Sequence, residues 1–297
     1  MTRPALLPSD SVAIHAVLVS SRQAIDAVCD RWTLLIVLAM LGGERRFTGL
    51  MRRTGAASRL LTSRLRRLEA NGTLTRVPAV EGSARRDYQL TPMGEDLADV
   101  IFQMARWEWN GRTTDGPLTH EPCGTALRAT LCCLACGAPV TARDIGLELS
   151  ETQLGLMPTK TASHRRSTLS NADGAGACPT LGASLDVFGD KWGIEILLCA
   201  FFRLRRFSDF RLCTGIAANI LTDRLERFVA MGVLTRVDPA RVHAGYRLTE
   251  RGVDLYGVMV AVERWADAWL PRRYASPVRL IHRACGQTFR PLTRCSA

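Results

Sequence analysis

Two groups of side chains have the chemistry and the spacing to bind something. The first is a run of histidine and cysteine: His120-x2-Cys123, nine residues, then Cys133-x2-Cys136. Ligands three positions apart can share one tight turn, and Gly124 and Gly137 follow the second ligand of each pair. An imidazole and three thiolates suit a four-coordinate structural zinc ion, with no position left for a catalytic water. The same spacing fits a redox thiol cluster or simply reduced, buried cysteines. His282, Cys285 and Cys295 repeat His120, Cys123 and Cys133 at an offset of 162, which leaves Cys132 a spare. The counterpart of Cys136 would be residue 298, one past the last residue. The expectation is one zinc per chain, held by His120, Cys123, Cys133 and Cys136, with a remnant in the second set.

The second group is basic. Over residues 57–70, Leu61, Leu65 and Leu68 fall at i, i+4 and i+7 and make one buried helical stripe. The opposite face then carries Arg59, Thr62, Ser63 and Arg66, with Ser58 at its start. The hairpin that follows, two short strands joined by a polar turn, adds Arg76, Arg85 and Arg86. Guanidinium forks and hydroxyls on a helix can read base edges in a major groove while a basic hairpin grips flanking phosphates. A solvated, Arg-rich amphipathic helix is the bland alternative, and the basic hairpin next to it argues against that.

The elements that must position these groups are written twice. Asp30-Arg31-Trp32 returns as Asp190-Lys191-Trp192, and Leu74-Thr75-Arg76-Val77 as Leu234-Thr235-Arg236-Val237, at an offset of 160. The offset falls to 158 at Tyr88/Tyr246 and Trp107/Trp265, so the loop between Val77 and Tyr88 is two residues shorter in the second copy. Each copy should open with a helix over 11–39, broken near Asp30-Arg31-Trp32. A short strand or extended turn and a short helix follow over 47–53, then the 57–70 helix and strands at 74–78 and 86–90. Thr91 caps a closing helix that starts at Pro92 and runs to about Trp109. The expected fold is mainly α with small β-hairpins: two winged helix-turn-helix domains in tandem, each followed by a Cys/His-containing segment. Their expected spans are 11–118 and 178–276, with a metal knuckle at 119–149, a flexible basic linker at 150–177 and a truncated Cys/His tail at 277–297.

Both copies resemble the HxlR-type winged helix-turn-helix transcriptional regulators, relatives of the MarR class. The resemblance rests on Asp30-Arg31-Trp32-Thr33-Leu34-Leu35-Ile36, Arg45-Arg46-Phe47, Leu61-Thr62-Ser63-Arg64-Leu65, Leu68-Glu69-Ala70-Asn71-Gly72 and Tyr88-Gln89-Leu90-Thr91-Pro92-Met93-Gly94. In the second copy it rests on Gly189-Asp190-Lys191-Trp192, Arg206-Phe207-Ser208-Asp209-Phe210, Leu221-Thr222-Asp223-Arg224-Leu225, Gly232-Val233-Leu234 and Tyr246-Arg247-Leu248-Thr249-Glu250-Arg251-Gly252. It implies regulation through double-stranded DNA and dimerisation through terminal helices. It also matches Cys178 to a cysteine that some such regulators use to sense oxidants. Trp107, Trp109, Trp265 and Trp269 should line or cap the closing helices, in a homodimer or in a pseudo-dimer within one chain.

The two copies are not equivalent readers. The first carries Arg59, Arg64, Arg66 and Arg67 against Glu69, whereas the second balances Arg224 and Arg227 against Asp223 and Glu226. Asn219, Asp223 and Glu226 stand where Arg59, Ser63 and Arg66 stood. The first domain is therefore the expected main reader, with Asn219, Thr222 and Arg241 as weaker contacts, and the charge split favours two first-domain readers in a homodimer.

Composition is consistent with this. In 297 residues, 39 Lys and Arg face 28 Asp and Glu, a formal charge of +11, which points to an anionic partner. The longest apolar run, 32–41, is too short for a membrane span, and the N-terminal residues make a poor secretion signal. Ten cysteines then read as thiols or metal ligands in a cytoplasmic protein. The chain lacks a Gly-x-Gly-x-x-Gly loop, a Walker sequence, His-Glu-x-x-His and a nucleophile elbow, so an enzyme is not expected. A protein–protein adaptor or assembly factor derived from a duplicated regulator is the alternative, and the sequence names no effector.

Overall fold

The computed structural model describes residues 10–80, 84–109, 119–120, 125–126, 128–155, 180–237, 245–271 and 276–295. The first repeat opens with α1 (Asp10–Val28) and α2 (Arg31–Leu41), separated where the sequence places its Asp-Arg-Trp break. The Asp30 carboxylate caps α2, accepting from the Trp32 and Thr33 amides at 3.4 and 3.3 Å, which satisfies two of the amides a helix start leaves open. Next come α3 (Phe47–Thr54) and α4 (Ser58–Ala70). The strand or extended turn expected at the start of α3 does not form. Leu50 and Thr54, one turn apart, are buried, and the Thr54 hydroxyl donates back to the Leu50 carbonyl at 2.7 Å, so burial selects the helix. Gly55, at φ 70°, takes the left-handed conformation that lets the chain turn from α3 into α4 without a Cβ clash.

The antiparallel hairpin of β1 (Leu74–Pro78) and β2 (Arg86–Leu90) pairs Leu74 with Leu90 and Pro78 with Arg86. Thr91 then caps α5 (Pro92–Glu95) by accepting from the Gly94 amide at 3.3 Å. The closing helix, expected to be continuous, breaks after α5 and resumes as α6 (Ala98–Trp109). The break turns Asp96 towards the second repeat, where its carboxylate accepts from Arg264 and from the Trp269 indole, both at 2.8 Å.

The first tail holds β3 (Thr119–His120), β4 (Thr125–Ala126), β5 (Ala129–Cys133) and β6 (Ile145–Leu149), followed by α7 (Glu151–Gly155). That short helix occupies the start of the segment expected to be a flexible linker. The rest of the segment lies outside the described residues. The second repeat follows as α8 (Gly182–Phe188), α9 (Lys191–Phe201), α10 (Phe207–Thr214), α11 (Ala218–Ala230), β7 (Leu234–Val237), β8 (Gly245–Leu248), α12 (Glu250–Val253) and α13 (Tyr256–Trp269). Its tail is β9 (Val278–His282) and β10 (Pro291–Cys295).

The repeats do not fold side by side as independent units. One continuous apolar core runs through both. Helix α1 packs on α9, α10 and α13 of the second repeat, and α8 packs on α2 and α6 of the first. The closing helices α6 and α13 lie against each other, and their contacts come in matched pairs. Arg106 binds the Asp254 carboxylate at 2.7 Å, and Arg264, its counterpart at offset 158, binds Asp96, the counterpart of Asp254, at 2.8 Å. The Trp107 indole donates to the Arg251 carbonyl at 2.7 Å, and Trp265 donates to the equivalent Met93 carbonyl at 2.8 Å. Reciprocal contacts of this kind define an isologous, two-fold interface, here inside one chain. Trp107 and Trp265 are fully buried in it, whereas Trp269 is partly exposed at its edge.

The tails also pair across the repeats. Strand β5 is antiparallel to β10, with Leu131 opposite Thr293, and β6 is antiparallel to β9, with Leu147 opposite Leu280. A second, small core of Leu131, Val140, Ile145, Val260 and Phe289 lies beneath them. Among the described residues no helix is long and apolar enough to cross a membrane.

Candidate nucleic-acid interface and metal centre

Helix α4 buries Leu61, Leu65 and Leu68 and nothing else. Its exposed side splits into arginines the protein holds and arginines it leaves free. Arg64 reaches back to the Asp30 carboxylate at 3.4 Å, so the residue that caps α2 also fixes α4. Arg67 donates to the Asp26 carbonyl of α1. Arg59 and Arg66 are exposed and have no hydrogen bond or ion pair among the described residues; with Thr62 and Ser63 they line a shallow surface groove. Ser58 is exposed at the helix start, and its carbonyl accepts from the Thr62 hydroxyl at 2.8 Å. On the hairpin, Arg76 lies over the Tyr88 ring at 5.4 Å and pairs with Glu69 at 3.3 Å. Arg85 and Arg86 are exposed, Arg85 within 3.7 Å of Asp87.

The second reader has the same frame and different chemistry. Arg224 repeats Arg64, binding the Asp190 carboxylate that caps α9. Asn219 and Thr222 are exposed, and the Thr222 hydroxyl donates to the Ala218 carbonyl at 3.0 Å. Where the first repeat presents Ser63 and Arg66, the second presents Asp223, paired with Arg224 and Arg227, and Glu226, 3.8 Å from Arg236. Helix α3 ends with exposed Arg52 and Arg53, whereas α10 offers exposed Leu212 and buried Cys213 at those places. Arg241 lies outside the described residues.

The cysteines sort by surroundings. Burial pushes the Cys29 and Cys199 thiols well above the ordinary thiol range, which keeps them protonated and unreactive in the helical core. Cys132 is buried too, and Cys178 lies outside the described residues. A different set comes together: Cys133, Cys136, His282 and Cys285, whose ligand atoms all lie within 4.8 Å of one another. His282 Nδ1 stands 3.4 Å from Cys136 Sγ and 3.2 Å from Cys285 Sγ. Ligands about 2.0–2.3 Å from a tetrahedral zinc stand about 3.3–3.8 Å apart, and both His282 distances lie close to that spacing.

Of the expected set, Cys133 and Cys136 lie in this cluster, and among the described residues they are joined by His282 and Cys285 of the second tail. Of His120 only the backbone is described, and Cys123 lies outside the described residues. His282 and Cys285, expected to be a remnant, complete the cluster, while Cys295 sits at the far end of β10 opposite Ala129.

The two halves of the cluster are built alike. In one, the Gly137 amide donates to the Cys133 carbonyl at 2.8 Å and the Cys133 amide to the Ala138 carbonyl at 2.9 Å. In the other, Gly286 donates to His282 at 2.8 Å and His282 to Gln287 at 3.0 Å. Gly137 and Gly286, at φ 74° and 69°, each take a left-handed conformation just after the second ligand, which turns both side chains of the pair the same way. The signal was in the sequence, as Cys-Gly after each x2 pair, but it does not say which pairs meet.

Comparison with known proteins decides the fold family. The HxlR-like helix-turn-helix family matches residues 27–114 and again 187–274, more than half of the chain. The chain belongs to that family. This HxlR-like chain is 37% identical over 121 residues to the uncharacterised HTH-type transcriptional regulator MT3179 of Mycobacterium tuberculosis (strain CDC 1551 / Oshkosh), covering 39% of this chain and 75% of that protein. It is 34% identical over 88 residues to the uncharacterised HTH-type transcriptional regulator YtfH of Escherichia coli (strain K12), covering 29% of this chain and 70% of that one. The crystal structure of PA1607 matches with a TM-score of 0.34 and 38% identity, over 38% of this chain and 80% of that chain. The HxlR-like chain is a helix-turn-helix transcriptional regulator in tandem form, not an enzyme.

Proposed function

We propose that this regulator binds double-stranded DNA sequence-specifically and that α4 of the first repeat is the principal reader. The observation that carries this is the freedom of Arg59 and Arg66 on a helix whose other arginines are engaged. A fork left unpaired on an exposed groove is available to guanine edges or phosphate. Ser58, Thr62 and Ser63 share that surface, and Arg76, Arg85 and Arg86 of the hairpin flank it as phosphate contacts. In the second repeat Asn219, Thr222 and Arg241 offer weaker contacts, because Asp223 and Glu226 repel phosphate and occupy the neighbouring arginines. The matched contacts between α6 and α13 support a pseudo-dimer within one chain, so the DNA partner is a duplex with two unlike half-sites.

The test is alanine substitution measured by fluorescence anisotropy on the duplex the protein selects from a random pool. Arg59→Ala and Arg66→Ala should each weaken binding by about 1–3 kcal/mol, the usual worth of a bidentate arginine–guanine contact. Asn219→Ala and Glu226→Ala should change it by much less. Equal losses from both repeats would overturn the assignment of the main reader.

A structural zinc ion, one per chain, belongs to the same reading. Three thiolates and an imidazole make a closed tetrahedral set of the kind that supports folding and leaves no site for an activated water. Elemental analysis of protein purified without added zinc should give about one equivalent, and none even after incubation with zinc under reducing conditions would overturn it.

A further inference from the structure

We infer that the metal is a staple between the two repeats, bonding Cys133 and Cys136 of the first tail to His282 and Cys285 of the second. This rests on the zinc reading and goes beyond it, because it says which parts of the molecule the ion joins and what would come apart without it. Each tail supplies one glycine-closed knuckle with two ligands. The cluster is complete only where both knuckles face each other, so the free energy of coordination is released only in the docked arrangement and stabilises that arrangement by mass action.

The surroundings show why a staple is needed at this place. The tails meet through two-stranded ribbons, β5 with β10 and β6 with β9, and isolated two-stranded ribbons are marginal in water. The apolar cluster beneath them is small, and it reaches the body of the molecule through Val260 and Tyr256 of α13. Gln103 of α6 donates to the Thr293 hydroxyl of β10 at 3.1 Å. Both closing helices therefore carry the joined tails. Cys133 and His282 are buried, whereas Cys136 is exposed and Cys285 half-buried, so the ion would be inserted from one side of a preformed ribbon. Because α6 and α13 also form the two-fold interface, the ion fixes the tails to the element pair that sets where the two readers stand.

Three measurements on the full chain test this. X-ray absorption at the zinc edge should show three sulfur ligands and one nitrogen. His282→Ala and Cys285→Ser should lower the metal content as far as Cys133→Ser does, although they lie in the other repeat, and His282→Cys should restore it. Stripping the metal from the wild-type chain with a chelator should raise amide exchange together in 129–149 and 278–295, which answers the question even if a ligand variant fails to fold. Full metal content in a His282→Ala, Cys285→Ser double variant would overturn the staple while leaving the zinc reading intact. Exchange that rises in the first tail alone would do the same. Protein that takes up no zinc when reduced would remove both.

Discussion

Arg64 and Arg224 occupy the same place in the two readers and make the same bond, to the aspartate that caps the preceding long helix. Their surroundings differ. The Arg64 and Asp30 side chains are 28% and 17% exposed, whereas Arg224 and Asp190 are 12% and 6% exposed. Breaking a buried pair leaves an uncompensated charge, so Arg224→Ala should destabilise the chain by about 3 kcal/mol. Arg64→Ala, with water at hand, should cost about 1 kcal/mol. Denaturant unfolding checks the order, and equal effects would show that exposure does not govern the pair. At this scale the sequence was informative wherever one helix decides the outcome. The stripe Leu61, Leu65 and Leu68 places Arg59 and Arg66 outward by periodicity alone. It could not show that Arg64 and Arg67 are engaged, because their partners, the Asp30 cap of α2 and the Asp26 carbonyl of α1, come from the preceding helices packed against α4. That His282 and Cys285 join Cys133 and Cys136 was hidden for the same reason. Spacing identifies a knuckle, and only the pairing of the tails, β5 with β10 and β6 with β9, identifies its partner.

Among elements, the strands 74–78 and 86–90, the 57–70 helix and its Thr91-Pro92 successor were legible because each carries its own local signals: turn residues, a stripe, a cap. Helix α3 was read partly as extended, since Phe47-Thr48-Gly49 has weak helical preference and only burial of Leu50 and Thr54 overrides it. At the break between α5 and α6, Asp96 meets Arg264 and Trp269 across the two-fold interface, a long-range contact that periodicity cannot register. That interface makes its own prediction. Trp107 and Trp265 are each 1% exposed or less and each donate one indole hydrogen bond. Replacement of either by alanine should destabilise the whole chain by about 3–5 kcal/mol, and by similar amounts for the two, in one cooperative transition. A variant that unfolds in two separate steps would show that the repeats are independent after all.

On the scale of the molecule, duplication has brought both halves of a two-fold assembly into one chain and then let them diverge. The core, the reciprocal arginine and tryptophan contacts and the paired tails keep the symmetry. The free arginines of α4 and the acids of α11 break it. A homodimer with two identical basic readers, favoured by charge alone, is not needed to complete the closing helices, because α13 already covers α6. The DNA partner should accordingly have one half-site rich in contacts to Arg59 and Arg66 and another read lightly, with centres about 34–36 Å apart, one helical turn. Electrostatic attachment should be steeply salt-dependent, since each phosphate neutralised releases counterions, and an adaptor built on the same fold would lack that dependence. The most direct test is the mass of the complex with the selected duplex, taken together with its footprint. One chain per duplex, protecting two successive major grooves with unlike sequences, is the predicted result. Two chains on a palindrome, each lying on one copy of the same half-site, would contradict it.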